Sequence, residues 1–404
     1  MASVSRHFKP ERLAELRAAL QAHCDRGDIP GLVALIAHGA DVHVEVLGTK
    51  QAGGREPMTR DTIFRIASIT KPIAAAATLM LVDDGTLHLD DTVDRWLPEL
   101  ANRRVLRSLG SPLDDTVPAN RPITVRDVLT YTFGLGSLLV PFGTYPIQKP
   151  IREGRLGGDG PEYMLNPPST EDWILRIGEL PLMHQPGERW LYNTSGDVLG
   201  VLVARASNKS FGSFLEERLF GPLGMVDTAF HVPRAKRERL PDCYRFDRDR
   251  RAFVVFDSAL DSAWSRTPVF ESGAGGLVST VDDYHAFCRM LLNLGRHGNR
   301  QLLSEASVRA MTRDQLTPAQ REGTQIFLGD HSSWGLGVAV DTARAEPWNV
   351  PGRFGWVGGL GTSAYSDPAN DFIGAVFTQR LMDSPEAAAV FTDFWRHAYR
   401  TLDA

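Results

Sequence analysis

Cysteine is nearly absent from this chain: Cys24, Cys243 and Cys288 are three in 404 residues, widely spaced and odd in number. Such a set offers neither a disulfide framework nor a CxxC-type zinc site, and it fits a reducing compartment. Long apolar runs are lacking too. The longest nearly apolar stretch, 73–82, is about half of what a membrane-spanning helix needs. The first 25 residues interleave charged side chains with Leu and Ala, without the basic start, apolar middle and small-residue cleavage site of an export signal. The expectation is a soluble cytoplasmic protein. An excess of one charge is also missing: 44 Lys+Arg face 49 Asp+Glu, a formal net charge of −5. Nucleic-acid binding and attachment to an anionic membrane both need a basic footprint, so neither partner is expected.

What is present is an ordinary globular composition, 43% hydrophobic and 23% charged. At this length a single core tends to split, which predicts two lobes. Leu13, Leu16, Leu20 and Cys24 recur at helical spacing behind Pro10, a good first helical residue. A short apolar run at 32–37, the turn-former Gly39, and Val42, Val44 and Val46 alternating with polar residues predict a β-hairpin. The Ala-rich stretch 73–82 predicts a helix buried on most sides and stopped at Gly85. From 87 to 270 strand signals are sparse, and Pro- and Gly-rich stretches such as 137–168 separate short helical patterns, one of them at 197–207. Strand-like runs return at 334–340 and 372–378, and 387–402 closes the chain as a helix. Both ends therefore read as mixed α and β, and the middle as helical.

The chain carries no GxSxG elbow, GxxxxGK[ST] loop, HExxH or GxGxxG. It does carry Ser68-Ile69-Thr70-Lys71, an SxxK arrangement. With 23 Ser and 6 Lys in the chain, about 0.3 such matches arise by chance at this composition, so position must supply the weight. Ser68 stands where the β-like segment 62–66 gives way to the apolar helix, with Lys71 one turn further along the same face. A serine hydroxyl needs a base to become a nucleophile, and a lysine desolvated against an apolar helix moves toward its neutral, basic form. The helix N-terminus also favours an oxyanion. These four residues alone are equally compatible with a capping serine followed by a solvated lysine.

The segment Phe64-Arg65-Ile66-Ala67-Ser68-Ile69-Thr70-Lys71 resembles the nucleophile segment of the serine β-lactamase and penicillin-binding-protein superfamily, most closely its class C and family VIII carboxylesterase branch. Further matches follow in order. Residues 128–135 resemble that branch's Leu-Leu-Thr-His-Thr-Ser-Gly-Leu, with Tyr131 and Phe133 in place of His and Ser. Residues 186–194, with Tyr192-Asn193-Thr194, resemble the segment of the second motif, and 274–280 resemble its Gly-Gly-Leu-x-Ser-Thr stretch. Gly355-Trp356-Val357-Gly358-Gly359 falls where lactamases carry Lys-Thr-Gly.

The resemblance covers about 10–400 and implies an α+β, β-lactamase-like fold: an antiparallel sheet flanked by helices, with an inserted helical lobe. In this chain that gives residues 1–75 and 270–404 to the mixed lobe and 76–269 to the helical one, with the active site in the cleft between them. It implies Ser68 as nucleophile, and Lys71 with Tyr192 as the proton-transfer pair, the Lys71 ammonium depressing the phenol so that it serves as base and then as acid. The backbone N–H groups of Ser68 and Gly359 would form the oxyanion hole. Trp356, Gly358, Tyr131 and Asn193 would meet substrate, with Tyr131 packing nearby rather than moving protons. Thr194 and Ser195 read as helix-start caps.

Departures from the motif select the branch. Trp356 replaces the lactamase Lys that would hold a substrate carboxylate, and Tyr-x-Asn has become Tyr-Asn-Thr, which removes the amide from the third position. An aromatic wall there suits a neutral, apolar group. The expected activity is hydrolysis of short-chain carboxylic esters through an acyl-enzyme on Ser68, with transfer of the acyl group to other alcohols open to the same intermediate. The small-molecule ester is the expected partner, and no metal or cofactor is implied. A β-lactamase or D-amino-acid peptidase on the same nucleophile is the nearest alternative, and a non-catalytic binding module the more distant one.

Overall fold

The structure, a computed structural model, describes residues 8–157, 164–385 and 388–402. Pro10 opens helix α1 (Pro10–Asp25), where its missing N–H is no loss, and Leu16 and Leu20 face inward. The hairpin of β1 (Gly31–His38) and β2 (Asp41–Gly48) turns at Gly39, whose φ of +60° falls in the region that glycine adopts without strain. Helices α2 (Thr70–Asp83), α3 (Thr194–Ser207) and α4 (Val281–Leu292) follow. Five strands then run to the C-terminal helix: β3 (Ser332–Trp334), β4 (Ala339–Asp341), β5 (Phe354–Gly358), β6 (Thr362–Asp367) and β7 (Phe372–Thr378), with α5 (Ala389–Arg400) last.

Among the described residues these strands form one seven-stranded sheet in the order β3-β4-β5-β6-β7-β1-β2, antiparallel at every step. The amino-terminal hairpin thus completes a meander made by the other end of the chain, with Leu35 opposite Ala375. Leu32, Ala34 and Ile36 of β1 pack in the layer of α1 and α5, while Val33, Leu35 and Ala37 enter the core shared with α2 and α4. Burial on both faces is why 32–37 reads as a continuous apolar run rather than an alternating one. Each such Leu or Ile contributes about 1.5–3 kcal/mol by leaving water. The expected fold class is what the chain forms.

Several details differ from the sequence reading. The single strand expected at 334–340 is two short ones, because Gly335 and Gly337 (φ +78°) turn the chain between them, and a Cβ on Gly337 would lie 2.4 Å from Ala75 on α2. Within 87–270 the chain adds a ladder of Arg104–Leu106 with Thr116–Pro118 and a hairpin of Cys243–Asp247 with Ala252–Asp257. The charged turn 248–251 hid the second of these. Helix α2 runs unbroken across the 75/76 lobe division. Ala387, the expected start of the last helix, and residues 1–7 of the first lobe's range lie outside the described residues. Among those described, no helix is long and apolar enough to cross a membrane, and all three cysteines are free thiols.

Candidate active site

Ser68 sits in a short 3-10 turn, Ala67–Ile69, that leads directly into α2. Ala67 is held at φ +46°, a conformation that costs a non-glycine residue on the order of 1 kcal/mol and persists only where neighbours enforce it. The neighbours here are specific. The ladder of Phe64–Arg65 with Val278–Ser279 anchors one side. The Ile66 carbonyl accepts from Thr362 Oγ1 at 2.8 Å, and the Ile69 carbonyl accepts from the Tyr284 hydroxyl at 2.9 Å. Arg65, fully buried, donates to Asp257 Oδ2 at 2.6 Å, the Pro241 carbonyl at 2.7 Å and Ser262 Oγ at 3.2 Å.

Lys71 is one turn along, with no exposed surface. Its Nζ lies 3.0 Å from Ser68 Oγ, 2.9 Å from Asn193 Oδ1 and 2.5 Å from the Ala274 carbonyl oxygen. The last two atoms only accept. In the neutral amine they would take both N–H groups and leave its lone pair to the Ser68 hydroxyl. Burial pushes Lys71 well below lysine's usual 10.5, and the Asp197 carboxylate opposes that shift.

Tyr192 reaches the same point from the residues before α3. Its ring lies under Lys71, with Nζ 4.6 Å from the centroid. Its hydroxyl is bonded to Ser68 and accepts from Trp356 Nε1 at 2.8 Å. Desolvation pushes the phenol up to about 12, against the lowering pull of those two bonds. This reverses the sequence expectation that Lys71 depresses the phenol. Lys71 meets the face of the ring rather than the hydroxyl, and the loss of water around the hydroxyl outweighs its bonds with Ser68 and Trp356.

Asn193 takes the N-cap position of α3 at φ +81°, with no side-chain cap bond; its carbonyl turns to Lys71 instead. The helix therefore begins at Thr194, so Thr194 and Ser195 lie inside its first turn rather than capping it. Tyr131 stands behind the site. It is fully buried, stacked on Trp190 at 6.4 Å and edge-on to Trp334 at 4.9 Å. Its backbone carbonyl accepts from Leu191, which steadies Tyr192. Substrate contact by Tyr131, expected from sequence, is not what this placement provides.

The same holds for Gly358, where a Cβ would lie 2.2 Å from Thr362 Oγ1 and 2.4 Å from the Ile66 carbonyl oxygen. That glycine lets β5 close on the nucleophile segment. Gly359, by contrast, borders the open cavity, and a Cβ there would meet nothing within 4 Å. The cavity measures about 320 Å³ and contains Ser68, Tyr192, Asn193 and Trp356 on its wall. Leu139, Met164, Phe327, Val357, Leu381 and Met382 make most of the rest apolar. Among the described lining residues Asp383 is the one charged side chain.

Two contributors went unnoticed in the sequence. Asp197, 1% exposed, accepts from Ser272 Oγ at 2.5 Å and the Ala274 N–H at 3.1 Å, and so shapes the turn whose carbonyl holds Lys71. Burial raises its pKa well above the usual carboxylate value, and its Oδ2 has no hydrogen-bond partner among the described residues. An acid in the first turn of a helix is ordinary on the surface. The readable signal was that this one adjoins the apolar stripe of Val198, Leu199 and Leu202. Phe327, the second, comes from a one-turn helix, Gln325–Leu328, that carries no motif.

Residues 16–393 match the family model described as Beta-lactamase. Protein Rv1367c of Mycobacterium tuberculosis is 37% identical over 385 residues, 92% of each chain. Esterase EstB of Burkholderia gladioli is 30% identical over 378 residues, 88% of each. The solved structure described as "EstCE1, a hydrolase with promiscuous acyltransferase activity" superposes with a TM-score of 0.79 at 22% identity, covering 96% of this chain and 98% of that one. Because that family model spans residues 16–393 and the relatives are similar over nearly the whole length, the chain belongs to the beta-lactamase family.

Proposed function

We infer that this protein hydrolyses neutral carboxylic esters through an acyl-enzyme on Ser68. The observation that carries the reading is the Lys71 amine, 3.0 Å from Ser68 Oγ with two of its N–H groups committed elsewhere. Lys71 takes the Ser68 proton as Oγ attacks the ester carbonyl. The N–H groups of Ser68 and Gly359 receive the oxyanion beside the N-terminus of α2. As the tetrahedral adduct collapses, Tyr192 gives its proton to the departing alcohol oxygen, and the Lys71 ammonium restores it. Water then attacks the acyl-enzyme, its proton returns through the same pair, and Ser68 is freed with release of the acid. An alcohol in place of water would complete an acyl transfer by the same steps. The relatives support both outcomes: EstB is named an esterase, and EstCE1 is described as a hydrolase with acyltransferase activity.

Neutral substrates are favoured by what surrounds Ser68. Trp356 occupies the position of the lactamase cation, and the cavity's charged side chain is an acid, Asp383. Among the described lining residues a penicillin carboxylate would find no cation, and Asp383 is already paired with Arg380 at 2.8 Å. The test is to treat wild type and Ser68→Ala with a fluorophosphonate, read the intact masses, and compare turnover of p-nitrophenyl butyrate and benzylpenicillin. One adduct on the wild type, none on the variant, and ester turnover far above penicillin turnover are expected. Labelling that persists in Ser68→Ala would remove the nucleophile, and penicillin cleaved as well as the ester would replace esterase by lactamase.

A further inference from the structure

A second cavity of about 280 Å³ lies against the first. The two share four residues as a common wall: Phe327, Trp356, Val357 and Pro385. The two spaces differ in chemistry. Where the catalytic cavity is mostly aliphatic, the second is walled by Trp348, Tyr365 and Trp395, with Asn349 and His331 among its polar groups. Arg353 is also on its wall, but its charge is already matched. It donates to Asp341 at 2.9 Å and lies between Tyr365 and Trp395, 3.9 and 4.3 Å from the ring centres. A buried guanidinium so paired and covered offers an incoming anion little. Aromatic walls with hydrogen-bonding groups at their edges suit an uncharged ring-bearing molecule.

The direction in which an ester must lie connects the two spaces. The departing alcohol oxygen has to reach the Tyr192 hydroxyl, which is the proton donor in the reading above. That hydroxyl is bonded to Trp356 and its ring lies 4.4 Å from Phe327, so Tyr192 stands against the shared wall. An acyl group directed into the catalytic cavity leaves the alcohol half pointing at Phe327. Phe327 itself is only half-buried on its one-turn helix, and Gly329, at φ +60°, ends that helix.

We propose that the two cavities are halves of one cleft parted by the Phe327 ring, the catalytic half taking the acyl group and the second half taking an uncharged, ring-bearing alcohol. The inference rests on the ester-hydrolase reading and adds to it the class of alcohol. It also makes Phe327 a specificity residue that acts on one side of the ester only.

The test compares kcat/KM for two butyrates, 1-naphthyl and ethyl, in wild type, Phe327→Ala and His331→Trp. Taking the naphthyl-to-ethyl ratio within each protein and comparing it between proteins cancels the intrinsic reactivity of the two leaving groups. Removing Phe327 should open the partition and raise the ratio about tenfold, the discrimination that a few buried carbon atoms supply. Filling the second cavity from His331 should lower the ratio by a similar factor. A thermal melt establishes that each variant is folded. Ratios unchanged in both folded variants, with ethyl butyrate still turned over, overturn the bipartite cleft and leave the esterase reading standing. Absence of ester turnover in the wild type sinks both.

Discussion

Two buried pairs, each a basic side chain with a carboxylate, flank Ser68, and they are built in opposite ways. Arg65 and Asp257 touch, and the remaining capacity of both is largely taken up by Pro241, Ser262 and the Ala263 N–H. Lys71 and Asp197 form no ion pair; each bonds to the same 272–276 turn instead, and one carboxylate oxygen is left with no partner among the described residues. In a dry interior, contact and a nearly full set of hydrogen bonds offset the cost of burying such a pair, which makes a clamp. Separation lets burial push the lysine down and the acid up, each toward its neutral form. A guanidinium cannot take that form and an amine can.

Breaking each pair should therefore give different phenotypes. The largest effect is expected from Lys71→Met, which keeps volume and removes the amine proposed as base: ester turnover should fall by roughly 10⁴-fold with the thermal melt little changed. A loss under tenfold would move the base elsewhere. Arg65→Met comes next. It leaves Asp257 buried without its cation, and urea unfolding should register a loss of about 3–5 kcal/mol. A loss below about 1 kcal/mol would mean the clamp is dispensable.

Asp197→Asn is the finest of the three, since an amide oxygen still accepts from Ser272 and Ala274 and only the charge goes. The active form of the site needs neutral Lys71, so kcat/KM should rise with pH through a limb lying well below lysine's usual 10.5. The Asp197 charge favours the ammonium and raises the Lys71 pKa. Deleting that charge should therefore move the limb to lower pH, by roughly one unit. Lys71 faces Tyr192 and Asp197, and the phenol, pushed up to about 12, stays neutral across that range. A limb that stays in place would reduce Asp197 to a shaper of the turn.

The sequence revealed local features well and packing poorly. Ser68 and Lys71 were legible because SxxK at a strand-to-helix junction puts both on one face of α2 within a turn. The sheet was legible through its ends, where 32–37 and 372–378 are apolar throughout. Gly358 and Gly359 were indistinguishable as letters, yet one packs on Ile66 and the other borders open space. Trp356 read as a wall against substrate, and its bond to Tyr192 had no signature because 164 residues separate the two.

Composition and motif order by themselves determined the family, the placing of Ser68 with Lys71 one turn beyond it, and a sheet shared by both ends of the chain. All of these depend on short-range spacing and hydrophobic pattern, which survive in a linear reading. Tertiary structure alone set the opposite pKa directions of Lys71 and Tyr192, because those depend on how much water each group loses and which charges it faces. It also decided that Asp197 is a partner of Lys71 and that a second cavity adjoins the first. Burial and distance are properties of packing, and elements far apart in the chain set them together.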